Sequence, residues 1–177
     1  MQNLFDEVGF LDKRSYSEFG LTEDLLMEHA ANGMALYIKE KFTQGAKLTI
    51  VCGSGNNGAD GLALARLLHL HFNITLFLTR PPTSAMSKLQ YQRIQNLNIK
   101  ESEILEKSDI LVDALVGAGF KGELSPTLTD LLQGMNKMSA FKIACDIPSG
   151  FVFNADITLT MGGLKKSLFF LERKICK

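Results

Sequence analysis

Residues 48–68 read LTIVCGSGNNGADGLALARLL, and how this stretch is parsed decides the fold. The apolar run that ends at Cys52, interrupted only by Thr49, reads as a strand. A glycine-rich turn follows. Leu62, Ala65, Leu67 and Leu68 then recur at helical spacing, which predicts a helix from about Asp60 to His71. Strand, tight turn and helix make the first half of a βαβ unit, and the pattern repeats downstream. NITLFLTR (73–80), DILVDALVG (109–117) and FKIACDIPSG (141–150) read as strands, the last stopped by Pro148. SAMSKLQYQRIQNLN (84–98) and SPTLTDLLQGMNKM (125–138) read as helices, the second with Pro126 near its start. TRPPTSAMS (79–87) is a loop. Upstream, TEDLLMEHAANGMALYIKEKF (22–42) reads as a helix capped by Thr22 ahead of two acids. Its apolar stripe runs through Leu25, Leu26, His29, Ala30, Met34 and Ile38. ADITLTM (155–161) and SLFFLE (167–172) read as short, late elements. Strands alternating with helices at this spacing predict a three-layer α/β/α Rossmann-like sandwich with a mostly parallel central sheet.

Composition narrows the function classes. A chain of 177 residues is expected to form a single domain over 1–177. Hydrophobic residues make up 46% and charged residues 21%, so the chain buries a core and is not disordered. Lys+Arg and Asp+Glu are both 19, which gives no argument for nucleic acid or an anionic membrane as partner. No apolar run approaches the roughly 20 residues of a membrane helix, and the acidic start MQNLFDEVGFLDKR is not a signal peptide. Cys52, Cys145 and Cys176 form no C-x-x-C. Cys52 and Cys145 end apolar runs and read as buried thiols, so a reducing cytoplasm is expected.

Ligands of open parallel sheets sit beyond the carboxyl ends of the strands. Three such ends here carry polar, glycine-containing turns: Gly53–Asp60, Asp113–Gly119 and Asp146–Gly150. Gly53, Gly55 and Gly58 satisfy G-x-G-x-x-G, by itself a weak signal. Asp60 near the helix start would compete with a phosphate for the same amides. The acid that a dinucleotide fold places after the second strand is absent, with Thr79 and Arg80 in its place. The alternative is convergence of oxygens. Asn57, Asp113 and Ser149 would make a hard site with a single carboxylate, suited to a monovalent cation. Plainer roles exist for each residue. Asp60 could cap its helix, Asp113 and Asp146 could brace their own turns, and Ser149 is a common turn residue. Lys165 and Lys166 could be a solvated pair. His29 reads as a core or interface residue, and His69 and His71 suit a helix end.

At this point the motifs resemble a known family. GSGNNGADGLALARLL is similar to the Asn-Asn-Gly-x-Asp-Gly loop of the NAD(P)H-hydrate epimerase family, the YjeF N-terminal domain. VDALVGAGFKGELS and CDIPSG resemble two further segments of that family. ADITLTMGGLKKSL is a looser match, and LDKRSYSEFGLTEDLLMEHAANGMA resembles the family's opening helix. The resemblance implies interconversion of the R and S epimers of hydrated NADH and NADPH, by acid/base chemistry at C6 of the nicotinamide ring. It implies that Asn56, Asn57, Gly58, Ala59 and Asp60 contact substrate. The turn of Gly117, Ala118, Gly119, Phe120, Lys121, Gly122 and Glu123 would lie along its phosphates. Asn57, Asp113 and Ser149 would hold one potassium ion per subunit. Asp146 would contact the substrate near the reacting ring and is the expected acid/base, since one carboxylate can serve both directions. Lys165 is its expected partner. The family also implies a separate ADP- or ATP-dependent dehydratase acting downstream, with no dehydratase domain expected within 1–177, and a homodimer.

Four departures stand out. Ala59 occupies a usual glycine position, the path from Gly150 to Ala155 is short, GGLKKS lacks the family's proline and glycine around Lys165, and the chain stops soon after it. Two other functions are therefore kept: a non-catalytic nucleotide-binding or scaffold protein of the same fold, and an NADP-dependent reductase using the glycine-rich loop.

Overall fold

A computed structural model describes residues 3–169. In chain order these form β1 (Leu4–Phe5), α1 (Gly9–Phe19), α2 (Glu23–Lys41), β2 (Lys47–Cys52), α3 (Asn56–Leu68) and β3 (Asn73–Leu78). There follow α4 (Ala85–Ile94), β4 (Lys100–Glu101), β5 (Ile110–Ala114), α5 (Pro126–Lys137), β6 (Phe141–Cys145), β7 (Ile157–Leu159) and β8 (Leu164–Lys165). Six strands make one sheet in the order β4-β3-β2-β5-β6-β7, and every pairing in it is parallel. The order reverses between β2 and β5, and that switch point opens the crevice in which such sheets take ligands.

Alternation along the strands divides the core in two. Leu48, Ile50, Cys52, Ile110, Val112, Ala114, Ile143 and Cys145 face one layer, packed against Ile38 of α2, Leu62, Leu64 and Leu68 of α3 and Ile94 of α4. Val51, Leu111 and Ala144 face the other, packed against Leu132 and Met135 of α5. The three-layer α/β/α sandwich expected from the sequence is the fold observed. Burying each such leucine contributes roughly 2 kcal/mol, so α3 is held by its packed face and not by the weak helix formers at its start.

The structure corrects three readings and adds one pairing. α3 begins at Asn56, four residues before Asp60, because Gly58 seats the first turn directly against the Gly53 carbonyl, where any Cβ would collide. Tertiary contact overrides the poor helix propensity of Asn-Asn-Gly. The buried stripe of α2 is Met27, Ala31, Met34, Ala35 and Ile38, while Leu25 and His29 face outward. Strand β6 ends at Cys145, before Pro148, because Asp146 takes a left-handed backbone with φ 69°. Finally, β8 pairs with β1, an association of the chain's two ends that no local pattern announces. SLFFLE extends beyond the described residues, and its described start is a 3-10 turn, Lys166–Leu168. Cys52 and Cys145 are buried free thiols, while Cys176 lies outside the described residues. Among the described residues no helix is long and apolar enough to cross a membrane.

Candidate active site

The carboxyl ends of β2, β5 and β6 meet in one crevice. Gly53 N–H donates to the Ala114 carbonyl at 2.9 Å, joining the first turn to the second. The second is stitched to the third by Asp113 and Ser149. Asp113 Oδ1 accepts from Ser149 Oγ at 2.6 Å and from Leu115 N–H at 3.2 Å, and its Oδ2 accepts from Ser149 N–H at 2.8 Å. Ser149 Oγ also accepts from Val116 N–H at 3.0 Å. Asp113 therefore does brace its turn, but it does so fully buried and without a cationic partner among the described residues. Burial pushes its carboxyl up to about 6, against the pull of those hydrogen bonds.

Asp146 is held from four directions. Its N–H donates to the Leu159 carbonyl at 3.0 Å. Its Oδ2 accepts from Ala118 N–H at 3.2 Å, and its Oδ1 from Met161 N–H at 3.3 Å and from Lys165 Nζ at 2.5 Å. A non-glycine residue at positive φ persists only where its surroundings over-determine it, and such residues cluster at functional sites. Lys165 is 2% exposed and also donates to Thr160 Oγ1 and the Met161 carbonyl, both at 3.0 Å. The solvated-pair reading fails for Lys165, and it holds only for Lys166, which reaches Asp6 at 2.8 Å in the open. The glycine-rich GGLKKS turn nevertheless delivers Lys165 because β8 is fixed by its pairing with β1. The short path from Gly150 to Ala155 is tied down by Asn136, which donates to the Val152 carbonyl and accepts from Asn154 N–H.

The start of α3 completes the crevice. Its N-cap, Gly55, offers no side chain, so the first-turn amides of Asn56, Asn57 and Gly58 stay free of a side-chain cap. Asp60 sits a full turn further in and is not the cap, which overturns the expectation that its carboxylate competes for those amides. An open helix N-terminus favours an anion. Asn56 Nδ2 donates to Glu23 Oε1 at 2.6 Å. Asn57 Oδ1 and Asp146 Oδ2 lie 3.0 and 3.4 Å from where a Cβ on Gly117 would stand, so Gly117 keeps the space between them clear. Asn57 Nδ2 is buried with no partner among the described residues, an unmet donor at the heart of the crevice. Ala59 is fully buried inside α3 and has no positive φ, so its methyl replaces a glycine hydrogen without strain, yet it offers substrate no side chain. Gly58 is buried likewise. Ala118, Gly119, Phe120, Lys121, Gly122 and Glu123 form an exposed outer lip.

Asp60 is the group whose importance the sequence left most open. Burial, then Asp146, Glu23 and Asp12, push its carboxyl up to about 8. At neutral pH it keeps its proton in a crevice where Asp146 is ion-paired. Asp12, on α1, and Glu23, at the start of α2, were missed altogether. Burial raises Asp12 above the usual carboxylate range while the charge of Lys165 pulls it down, so α1 lies within electrostatic reach of the site. Only the spacing of Asp12 and Glu23 around a helix break could have hinted at this.

The oxygens present suit a monovalent cation. Asp113 is a buried carboxylate without a countercharge among the described residues, one lone-pair position on its Oδ2 is open, Ser149 adds a neutral oxygen beside it, and Asn57 presents its Oδ1 toward Gly117.

Comparisons with known proteins bear on this crevice. A family model described as YjeF-related protein N-terminus matches residues 23–167. The chain is 38% identical over 184 residues to the bifunctional NAD(P)H-hydrate repair enzyme Nnr of Helicobacter pylori, covering 95% of this chain and 39% of that protein. It is 32% identical over 183 residues to the NAD(P)H-hydrate epimerase of Elusimicrobium minutum, covering 88% of this chain and 83% of that one. The chain thus spans about two-fifths of the length of the Helicobacter relative. The crystal structure of yeast ynu0 shares the fold, with a TM-score of 0.76 at 21% identity over 85% of this chain and 75% of that chain.

Proposed function

This chain belongs to the YjeF-related N-terminal family, and from that premise we propose that it interconverts the R and S epimers of hydrated NADH and NADPH. The observation that carries the reading is the buried Asp146–Lys165 ion pair beside the uncapped start of α3. One end of the crevice accepts phosphate and the other handles protons. Relatives of matching length that are named NAD(P)H-hydrate epimerase support it.

The hydrated ring carries a hydroxyl on a carbon bonded to the ring nitrogen. Protonation of that hydroxyl lets it leave as water, and the nitrogen lone pair stabilises the cation left behind. Water returning to the opposite face, with loss of a proton, gives the other epimer. Asp146 is the base that activates the returning water and the fixed negative charge facing the cation. Lys165 holds it in one orientation. Burial and the neighbouring carboxylates hold the Asp60 carboxyl up to about 8, which makes it a second candidate proton source beside Asp146. The α3 amides and the residue 117–123 lip hold the phosphates. Asn57, Asp113 and Ser149 would hold potassium, which would supply positive charge to balance Asp113 and draw the turns at 57, 113 and 149 together. A nucleotide-dependent dehydratase activity, which the bifunctional names of some relatives put in the same protein, is expected to consume the S epimer.

The test is direct. Purified protein given the pure R epimer of hydrated NADPH in potassium buffer should produce the S epimer, by chromatography, well above the spontaneous rate. A well-folded protein that leaves the spontaneous rate unchanged would refute the assignment.

A further inference from the structure

The strands' amino ends form a second concavity, on the opposite edge of the sheet from Asp146. It encloses about 500 Å³ between the starts of β2 and β3, the end of α3 and the chain from 97 to 108. Three lysines, Lys47, Lys100 and Lys107, line it against one carboxylate, Glu106. Lys100 pairs with Glu106 at 2.6 Å, which leaves Lys47 and Lys107 without a carboxylate of their own among the described residues. Asp109, outside the lining, accepts from the Lys47 backbone N–H at its Oδ2, 2.8 Å away. The lining therefore holds two more cations than anions.

Two neutral groups add direction to this charge. Ser108 is 5% exposed, lines the cavity, and its Oγ has no hydrogen-bond partner among the described residues. Interior hydroxyls are paired in native proteins, and an unpaired one asks for a ligand or an ordered water. His69 lines the same space. Its Nδ1 lies 2.6 Å from the Arg66 carbonyl, which fixes the proton on Nδ1 and turns Nε2 to other use. Two lysine ammonium groups and a buried hydroxyl donor around a void with a surplus of two positive charges match a tetrahedral dianion.

We propose that this cavity binds a phosphate group, free or on a small monoester, with Lys47 and Lys107 neutralising its charge and Ser108 Oγ donating to it. The site stands apart from the crevice at Asp146 and does not rest on the epimerase reading.

The whole chain can be titrated with inorganic phosphate and, separately, with glycerol phosphate, holding ionic strength constant with sodium chloride and following amide shifts by NMR. The expected result is saturable shifts at Lys47, Lys107 and Ser108. The double variant Lys47→Gln/Lys107→Gln should weaken binding at least tenfold, and Ser108→Ala severalfold. Both lysines are exposed, so the double variant should keep its melting temperature. Tighter binding of the monoester would assign the rest of the cavity to its organic part, whereas equal affinity would make inorganic phosphate the occupant. Shifts reproduced by chloride alone, shifts confined to the start of α3 and residues 117–123, or a double variant that binds like the parent would overturn the proposal.

Discussion

At the amino edge of the sheet, Asp109 accepts the Lys47 N–H at 2.8 Å and Asp156 accepts the Lys142 N–H at 2.7 Å. At the carboxyl edge, Asp113 accepts from Leu115 and Ser149, and Asp146 from Ala118 and Met161. The residue type and the device are the same on both edges: an aspartate fastens the backbone of a neighbouring turn. Asp109 and Asp156 are exposed, so water can take over whatever they release. Asp113 is fully buried, and Asp146, its side chain 15% exposed, sits at positive φ against a buried lysine. Removing those carboxylates from water has a cost that bracing alone does not offset. The difference teaches that an aspartate's surroundings set its part: Asp113 is buried with no cationic partner among the described residues and Asp146 faces a buried lysine, whereas Asp109 and Asp156 only fasten a strand start at the surface.

Substitutions can break or sharpen this contrast. The largest effect is expected for Asp146→Asn, which should lower the epimerisation rate by about 10³-fold. Lys165→Met comes next. Leaving Asp146 without its countercharge should cost about 3 kcal/mol of stability by denaturant titration, with a rate loss beyond what the lost fold explains. Asp60→Asn should act through pH. In the unfolded chain this carboxyl ionises near 3.8 and in the folded chain near about 8, so the folded state binds the extra proton between those values and stability falls as pH rises through that window. The asparagine variant should lose less stability than the parent between pH 5 and pH 8, by up to about 4 kcal/mol, as urea midpoints at the two pH values would show. The smallest effect belongs to the amino edge. Asp156→Ala should cost about 1 kcal/mol or less and leave epimerisation unchanged.

What could be read in advance follows the same division. The strands at 48–52, 110–114 and 141–145 are mostly apolar runs, each with one polar residue inside, and the capped starts of α2 and α5 carry Thr22 and Ser125, so local chemistry announced them. The start of α3 was misplaced because part of its cause is non-local: Gly58 lies against Gly53, and Gly53 in turn lies against the Leu115 carbonyl beyond β5. The helix α1 buries none of its residues, and Phe10 and Phe19 are exposed, so it has no amphipathic stripe to read. In the crevice, Asn57, Asp113, Asp146 and Ser149 could be named from turn chemistry and motif. The burial of Lys165 and the raised Asp60 could not, since each depends on elements far away in sequence, β1 for the first and α1 and α2 for the second.

The most direct measurement compares R-to-S conversion of hydrated NADPH by the parent and by Asp146→Asn, both checked for folding by circular dichroism at the assay temperature. Conversion by the parent that falls by about 10³-fold in the variant is the expected result. A folded Asp146→Asn variant that converts the substrate as fast as the parent would contradict the role given to the carboxyl edge.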